Sequence, residues 1–246
     1  PLAVEALARA GVPSVVVANF SWDWIYRAFV PEEPRFAPHV ARIAAQYGEA
    51  DLLLQPPIVC DLAAFRRRRD VPLICRRSRL SKEEARAAFG LPAGVKVILL
   101  SFGGIGTVRL NPGRRYQEDW LFVGAGRVEG PPEPFRLTPV TPALRYPDLV
   151  RAADVVVTKP GYGIFAECTA NRAAMAHTDR GPFAEQRVLV EGMGAFLPHA
   201  FIPPEAFALG DWESPIRALL DGPVRWPDVT LNGAERTAAQ LDAFVS

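Results

Sequence analysis

Two short runs constrain this chain more than anything else in it. Residues 95–101 (Val-Lys-Val-Ile-Leu-Leu-Ser) and Val155–Thr158 are apolar with little alternation, and each leads into glycines: Gly103-Gly104 after the first, Lys159-Pro160-Gly161-Tyr162-Gly163 after the second. A strand that shows no polar face is buried on both faces, as in a parallel sheet covered by helices on either side. Parallel neighbours need a helical crossover between them. The class expected is therefore α/β, a doubly wound parallel sheet.

The rest of the chain alternates accordingly. Further strands are expected at 15–18, 51–55, 120–123, Phe135–Leu137, 173–178 and 200–202, and helices at 2–10, 24–29, 39–47, 147–153, 164–170 and 183–192. Ser81 with Glu84 three residues on is a capping box, opening a helix that Gly90 closes. Asn232 and Glu235 form a second cap pair, ahead of a helix whose apolar stripe is Leu241, Phe244 and Val245. Between the halves, residues 65–79 are irregular and basic, with Arg66 to Arg69, Arg76, Arg77 and Arg79 expected on a solvated face, or else in anion binding. Two domains are expected from this: 1–78, an incomplete Rossmann-type domain with its linker, and 79–246, a nearly complete one. The chain opens on a crossover helix, so the strand that would precede that helix is expected to be missing.

Composition narrows the function. Of 246 residues 49% are apolar, and 28 Lys and Arg balance 27 Asp and Glu for a net charge of +1. That excludes a disordered tail and gives no field toward nucleic acid or anionic membrane. Three cysteines without a CxxC spacing and three scattered histidines form neither a disulfide framework nor a zinc site, which fits a reducing, cytoplasmic setting without a metal. No run reaches 18 apolar residues, so no membrane span is expected, though peripheral membrane contact stays open.

Chemistry is expected where glycine turns follow strands. Gly103 and Gly104 let backbone N–H groups approach a phosphate. Gly161, Tyr162 and Gly163 open a helix at the carboxyl edge of the sheet, with its positive end beside Lys159. Glu167, six residues past Gly161, is placed to accept hydrogen bonds from vicinal hydroxyls such as those of a ribose. Asn19-Phe20-Ser21-Trp22-Asp23-Trp24 follows the first strand at another carboxyl-end loop, with the tryptophans as core or interdomain anchors, or as ligand contacts, and Asp23 as a helix cap.

Ala-Asp-x-Val-Val-x-Lys-Pro-Gly-Tyr-Gly-x-x-x-Glu over 153–167 resembles the two-Rossmann-domain (GT-B) nucleotide-sugar glycosyltransferases, in particular the group of the peptidoglycan lipid-linked N-acetylglucosaminyltransferase. With Asn-Phe-Ser-Trp-Asp-Trp at 19–24, Val-Pro-Leu at 71–73 and Ser-Phe-Gly-Gly at 101–104, the chain is also similar to bacterial glycosyltransferase-like proteins akin to the N-terminal half of plant arabinokinase. The resemblance implies a Rossmann-like GT-B C-terminal domain that binds a uridine diphosphate sugar, without an obligatory metal or other cofactor, and transfers the sugar to an acceptor. Gly103 and Gly104 would then approach the diphosphate, Gly161 to Gly163 supply the helix end, Glu167 hold the ribose and Glu185 face the donor sugar. Residues 171–177 depart from the family's Gly-x-Pro approach to a strand, and Gln186 stands where an aromatic is common. The family's Gly-His loop, source of its catalytic base, has no counterpart in these residues; relative to the family about the first hundred residues are expected to be absent, and Asp23 is the stand-in base. A non-catalytic nucleotide-sugar-binding or regulatory module and a nucleotide-sugar 2-epimerase are the alternatives.

Overall fold

A computed structural model of the chain describes residues 1–102, 116–124, 129–223 and 225–245, which pack as two units. The first gathers Pro1–Cys75, Pro182–Gly192 and Val229–Ser246; the second gathers Arg76–Gly181 and Met193–Asp228.

In the first unit, α1 (Leu2–Arg9), β1 (Val15–Val17), α2 (Trp22–Arg27), α3 (Ala37–Gly48), β2 (Leu52–Gln55) and β3 (Arg68–Asp70) follow one another, and β1, β2 and β3 pair in parallel in that order. Leu53 packs with Val4 of α1 and Tyr47 of α3 on one face of this sheet, while Leu52 and Leu54 pack with Val71 and Phe244 on the other. Period-two alternation thus sends neighbouring leucines to opposite cores. The strand β3 corrects the reading of 65–79 as irregular: Leu53 N–H bonds the Arg67 carbonyl at 2.9 Å and Val71 N–H the Gln55 carbonyl at 3.1 Å. All three β3 side chains are exposed. An edge strand can be charged on its side chains and still complete a ladder through its backbone.

Phe244 is carried by α10 (Gly233–Val245). The stripe expected on this helix is displaced, because Leu241 is 37% and Val245 81% exposed. Gly233 and Thr237 are buried instead, and Gln240 accepts a hydrogen bond from Arg69 at 2.6 Å. A small residue at Gly233 lets the helix start lie against the carbonyls of Pro72 and Leu73. Similarly, α2 begins two residues earlier than expected, with Ser21 at the N-cap and Asp23 inside the first turn, so Asp23 is not its cap.

The second unit holds β4 (Lys96–Ser101), β5 (Trp120–Gly124), β6 (Phe135–Leu137), β7 (Val155–Thr158), β8 (Ala174–His177) and β9 (His199–Phe201). They form one sheet, β6-β5-β4-β7-β8-β9, with every pair parallel. Counted from its own first strand this is the order 3-2-1-4-5-6 of the doubly wound Rossmann sheet. Ile98, Leu100, Val155 and Val157 join one core cluster, and Val97, Leu99 and Val156, on the opposite face, are equally buried. Both faces are covered, as the unbroken apolar runs require. Around the sheet lie α4 (Lys82–Ala88), whose Ser81–Glu84 capping box is formed, α5 (Tyr146–Ala152), α6 (Tyr162–Asn171), α8 (Pro204–Leu209) and α9 (Glu213–Asp221). The last two were not expected from sequence, yet Phe207, Trp212, Ile216 and Leu219 seal the core cluster.

Candidate nucleotide site at the sheet's switch point

Strand order reverses between β4 and β7, since the chain leaves β4 toward β5 and β6 and returns to run outward through β8 and β9. Crevices at such a reversal, outside the carboxyl ends of the strands, are where open α/β sheets bind ligands. Here Ser101 lies opposite Thr158, whose Oγ1 donates to the Ser101 carbonyl at 2.5 Å, so the two strand ends are locked side by side. Gly103 and Gly104 lie outside the described residues.

Beyond β7 the chain turns through Pro160 and Gly161 into α6. Gly161 is the N-cap, with extended backbone, no side chain caps the helix and no acid stands in its first turn. The first N–H groups of α6 are therefore a preformed positive end. A side chain at Gly161 would contact Arg180 Nη1, 3.6 Å from where its Cβ would lie, and one at Gly163 would meet open space. Lys159 is exposed on the approach and Tyr162 is half-buried. Sequence reasoning did not single out Arg180, which sits in the turn after β8; only the tertiary fold brings it to this helix end.

One and a half turns into α6, Glu167 is 5% exposed. Its Oε1 accepts from Arg76 Nε at 2.5 Å and also pairs with Arg76 Nη2. Burial pushes the Glu167 carboxyl up, and Arg76 pulls it back part of the way. Arg76 was expected on a solvated face or in anion binding, not on a carboxylate; its side chain is 70% exposed. Tyr146 hydrogen-bonds Ser101 Oγ through its hydroxyl, and burial, with Cys168 and Glu167 nearby, raises its phenol. Ser101 and Tyr146 thus form one polar pair at the end of β4, and Glu167 and Arg76 a second one at α6.

The structure brings Lys159, Gly161, Tyr162, Gly163 and Glu167 together in the second unit. Asp23 and Glu185 belong to the first. Asp23 is 3% exposed and pairs with Arg27 at 3.4 Å. Glu185, in the first turn of α7 (Ala184–Met193), is buried. Trp22 is 41% exposed and stands edge-on to Phe20, so it is no core anchor. The histidines expected to be scattered are partly paired: His177 Nε2 lies 3.1 Å from His199 Nδ1, because their strands are neighbours. Among the described residues no cluster of His, Cys, Asp and Glu forms a metal-binding group, and no helix is long and apolar enough to cross a membrane.

No family model matches the chain. The L-arabinokinase of Arabidopsis thaliana is 32% identical over 190 residues, which are 77% of this chain and 18% of the arabinokinase. Among solved structures, spinosyn forosaminyltransferase SpnP is similar with a TM-score of 0.55 at 12% identity, over 89% of this chain and 64% of SpnP. A UDP-glucosyltransferase from Polygonum tinctorium capable of glucosylating indoxyl gives 0.55 at 13% identity, over 90% of this chain and 64% of that enzyme. The glycotransferase of kitacinnamycin gives 0.52 at 16%, over 89% and 65%. The fold is that of the GT-B glycosyltransferases. The chain spans a little under two thirds of these GT-B structures and under a fifth of the arabinokinase.

Proposed function

We propose that this chain is the donor-binding part of a glycosyltransferase, taking a uridine diphosphate sugar at the β4–β7 switch point. The observation that carries this is the helix end of α6, free of any side-chain cap and followed within two turns by a buried carboxylate. The positive end of α6 with Lys159 suits a diphosphate, and Glu167, with Oε2 unpartnered among the described residues, suits a ribose hydroxyl pair. Gly103 and Gly104 would add backbone donors to the diphosphate. The UDP-glucosyltransferase similarity supports the same donor class.

For transfer, the leaving diphosphate gathers negative charge as the bond to the anomeric carbon breaks. Fixed N–H dipoles and a lysine at that point stabilise this charge without reorganising. No metal or other cofactor enters this reading. Asp23 is the acceptor-activating base that the sequence offers, and the acceptor is a hydroxyl compound of unassigned class.

The test is calorimetric titration of uridine, thymidine, guanosine and adenosine diphosphates and their sugars. We expect selective binding of the uridine set by the wild type, weakened by about 1–3 kcal/mol in Glu167→Ala, the scale of a lost charged hydrogen-bond pair. Equal affinity in the variant would remove Glu167 from the site; no nucleotide binding at all would overturn the donor reading.

A further inference from the structure

Glu167 and Arg76 are 91 residues apart in sequence, and the structure gives their meeting a dedicated frame. Asn171, 1% exposed and one turn past Glu167 on α6, donates from Nδ2 to the Arg76 carbonyl at 3.1 Å and accepts on Oδ1 from Ser78 N–H at 2.8 Å. The same Nδ2 donates to the Glu167 carbonyl at 2.9 Å. Ser78 Oγ in turn donates to the buried Asp148 at 2.7 Å. One carboxamide therefore fixes the backbone of 76–78 against the helix turn that bears Glu167, and the guanidinium of Arg76 has a set path to Oε1.

We infer that Arg76 is a positioning residue for nucleotide binding: it holds Glu167 by Oε1 and thereby leaves Oε2 turned to the ribose hydroxyls. This rests on the reading of Glu167 as the ribose acceptor. The pairing also governs charge. Of the groups facing Glu167, Tyr146 from α5 and Cys168 from α6 hold their protons more tightly than usual and stay neutral near pH 7, so Arg76 is the charged one among the described residues. A carboxylate accepts from both vicinal hydroxyls, whereas a protonated carboxyl must donate with one oxygen. Without Arg76, burial acts unopposed on Glu167 and the neutral form persists to higher pH.

The experiment compares wild type, Arg76→Met, Arg76→Lys and Glu167→Gln. Carbon-13 NMR follows the Glu167 carboxyl, assigned by its loss in Glu167→Gln, in the unliganded protein. Calorimetry measures the preference for uridine diphosphate over 2′-deoxyuridine diphosphate from pH 5.5 to 8.5. We expect the wild type to prefer the ribonucleotide by about tenfold, the scale of one charged hydrogen bond. In Arg76→Met the Glu167 titration moves upward, the preference falls toward that of Glu167→Gln at low pH, and it recovers only in part as pH rises, because the charge returns but the hold on Oε1 does not; Arg76→Lys restores much of it. An unmoved carboxyl titration, an unchanged preference, or a loss equal at every pH would overturn the proposal, the last by reducing Arg76 to a structural part. Absence of uridine diphosphate binding by the wild type would overturn the ribose reading itself, and is told apart because the carboxyl titration does not depend on nucleotide.

Discussion

Single residues here carry consequences that their type alone does not announce. His177 at the end of β8 is 1% exposed, and burial, reinforced by His199, lowers its imidazole to about 4 from an ordinary 6.5. Burial lowers His199 as well. A histidine whose folded pKa is depressed binds its proton more weakly folded than unfolded. Its contribution is fully present above 6.5 and is lost as pH falls from there toward 4. The full loss is on the order of 3 kcal/mol at about 1.4 kcal/mol for each unit. Urea unfolding of wild type and His177→Leu at pH 7, 5.5 and 4.5 should show a steeper decline for the wild type. Parallel slopes would mean that the pair is not the acid-labile element. From sequence, His177 and His199 were two of three unrelated histidines; only strand adjacency makes them a pair.

At the scale of elements, the signature over 153–167 divides by which end of β7 its residues occupy. Lys159 to Glu167 follow the carboxyl end and form the candidate site. Asp154 precedes the strand and ties three elements: its Oδ2 accepts from Val97 N–H of β4 at 2.8 Å and from Arg86 Nη2 at 2.5 Å, and its Oδ1 from Lys82 Nζ of α4 at 2.6 Å. The Asp154 side chain is 18% exposed, so screening by water is incomplete. Asp154→Ala should cost about 2–3 kcal/mol, since it removes an acceptor from a strand amide and from two half-buried cations. Ser81→Ala, which breaks only the cap of α4, should cost about 1 kcal/mol. Denaturant midpoints of the two variants check that order, and an Asp154 variant milder than the cap variant would refute it. The strands of the second unit were legible because full burial leaves an unbroken apolar run. The edge strand β3 was not, because an exposed edge makes its bonds through the backbone and writes nothing apolar into the side chains.

Across the whole molecule, chain order and packing order diverge. Residues 229–245 close the sequence but pack with residues 1–75, through Phe244 on Leu52, Leu54 and Val71 and through Gly233 on the backbone at 72–73. A Cβ at Gly233 would collide with the carbonyls of Pro72 and Leu73, which cannot swing aside as a side-chain tip can. Gly233→Ala is therefore expected to destabilise the first unit by about 3 kcal/mol, the upper range for overpacking. Hydrogen exchange provides the check: amides of β1 and β2 should lose protection in the variant while those of β4 and β7 keep theirs. Uniform protection throughout would show that α10 is not needed by the first sheet.

Patterning alone determined the α/β class, the parallel pairing and the turn-to-helix step at Gly161, because burial on both faces and helix initiation are local demands that each residue meets with its immediate neighbours. Tertiary structure alone decided that Arg76 meets Glu167, that Arg180 reaches the start of α6, that His177 pairs with His199 and that the last helix returns to the first unit. Each of these joins atoms from separate stretches of chain, and neither propensity nor periodicity records which distant residue fills the space a fold leaves beside a given side chain.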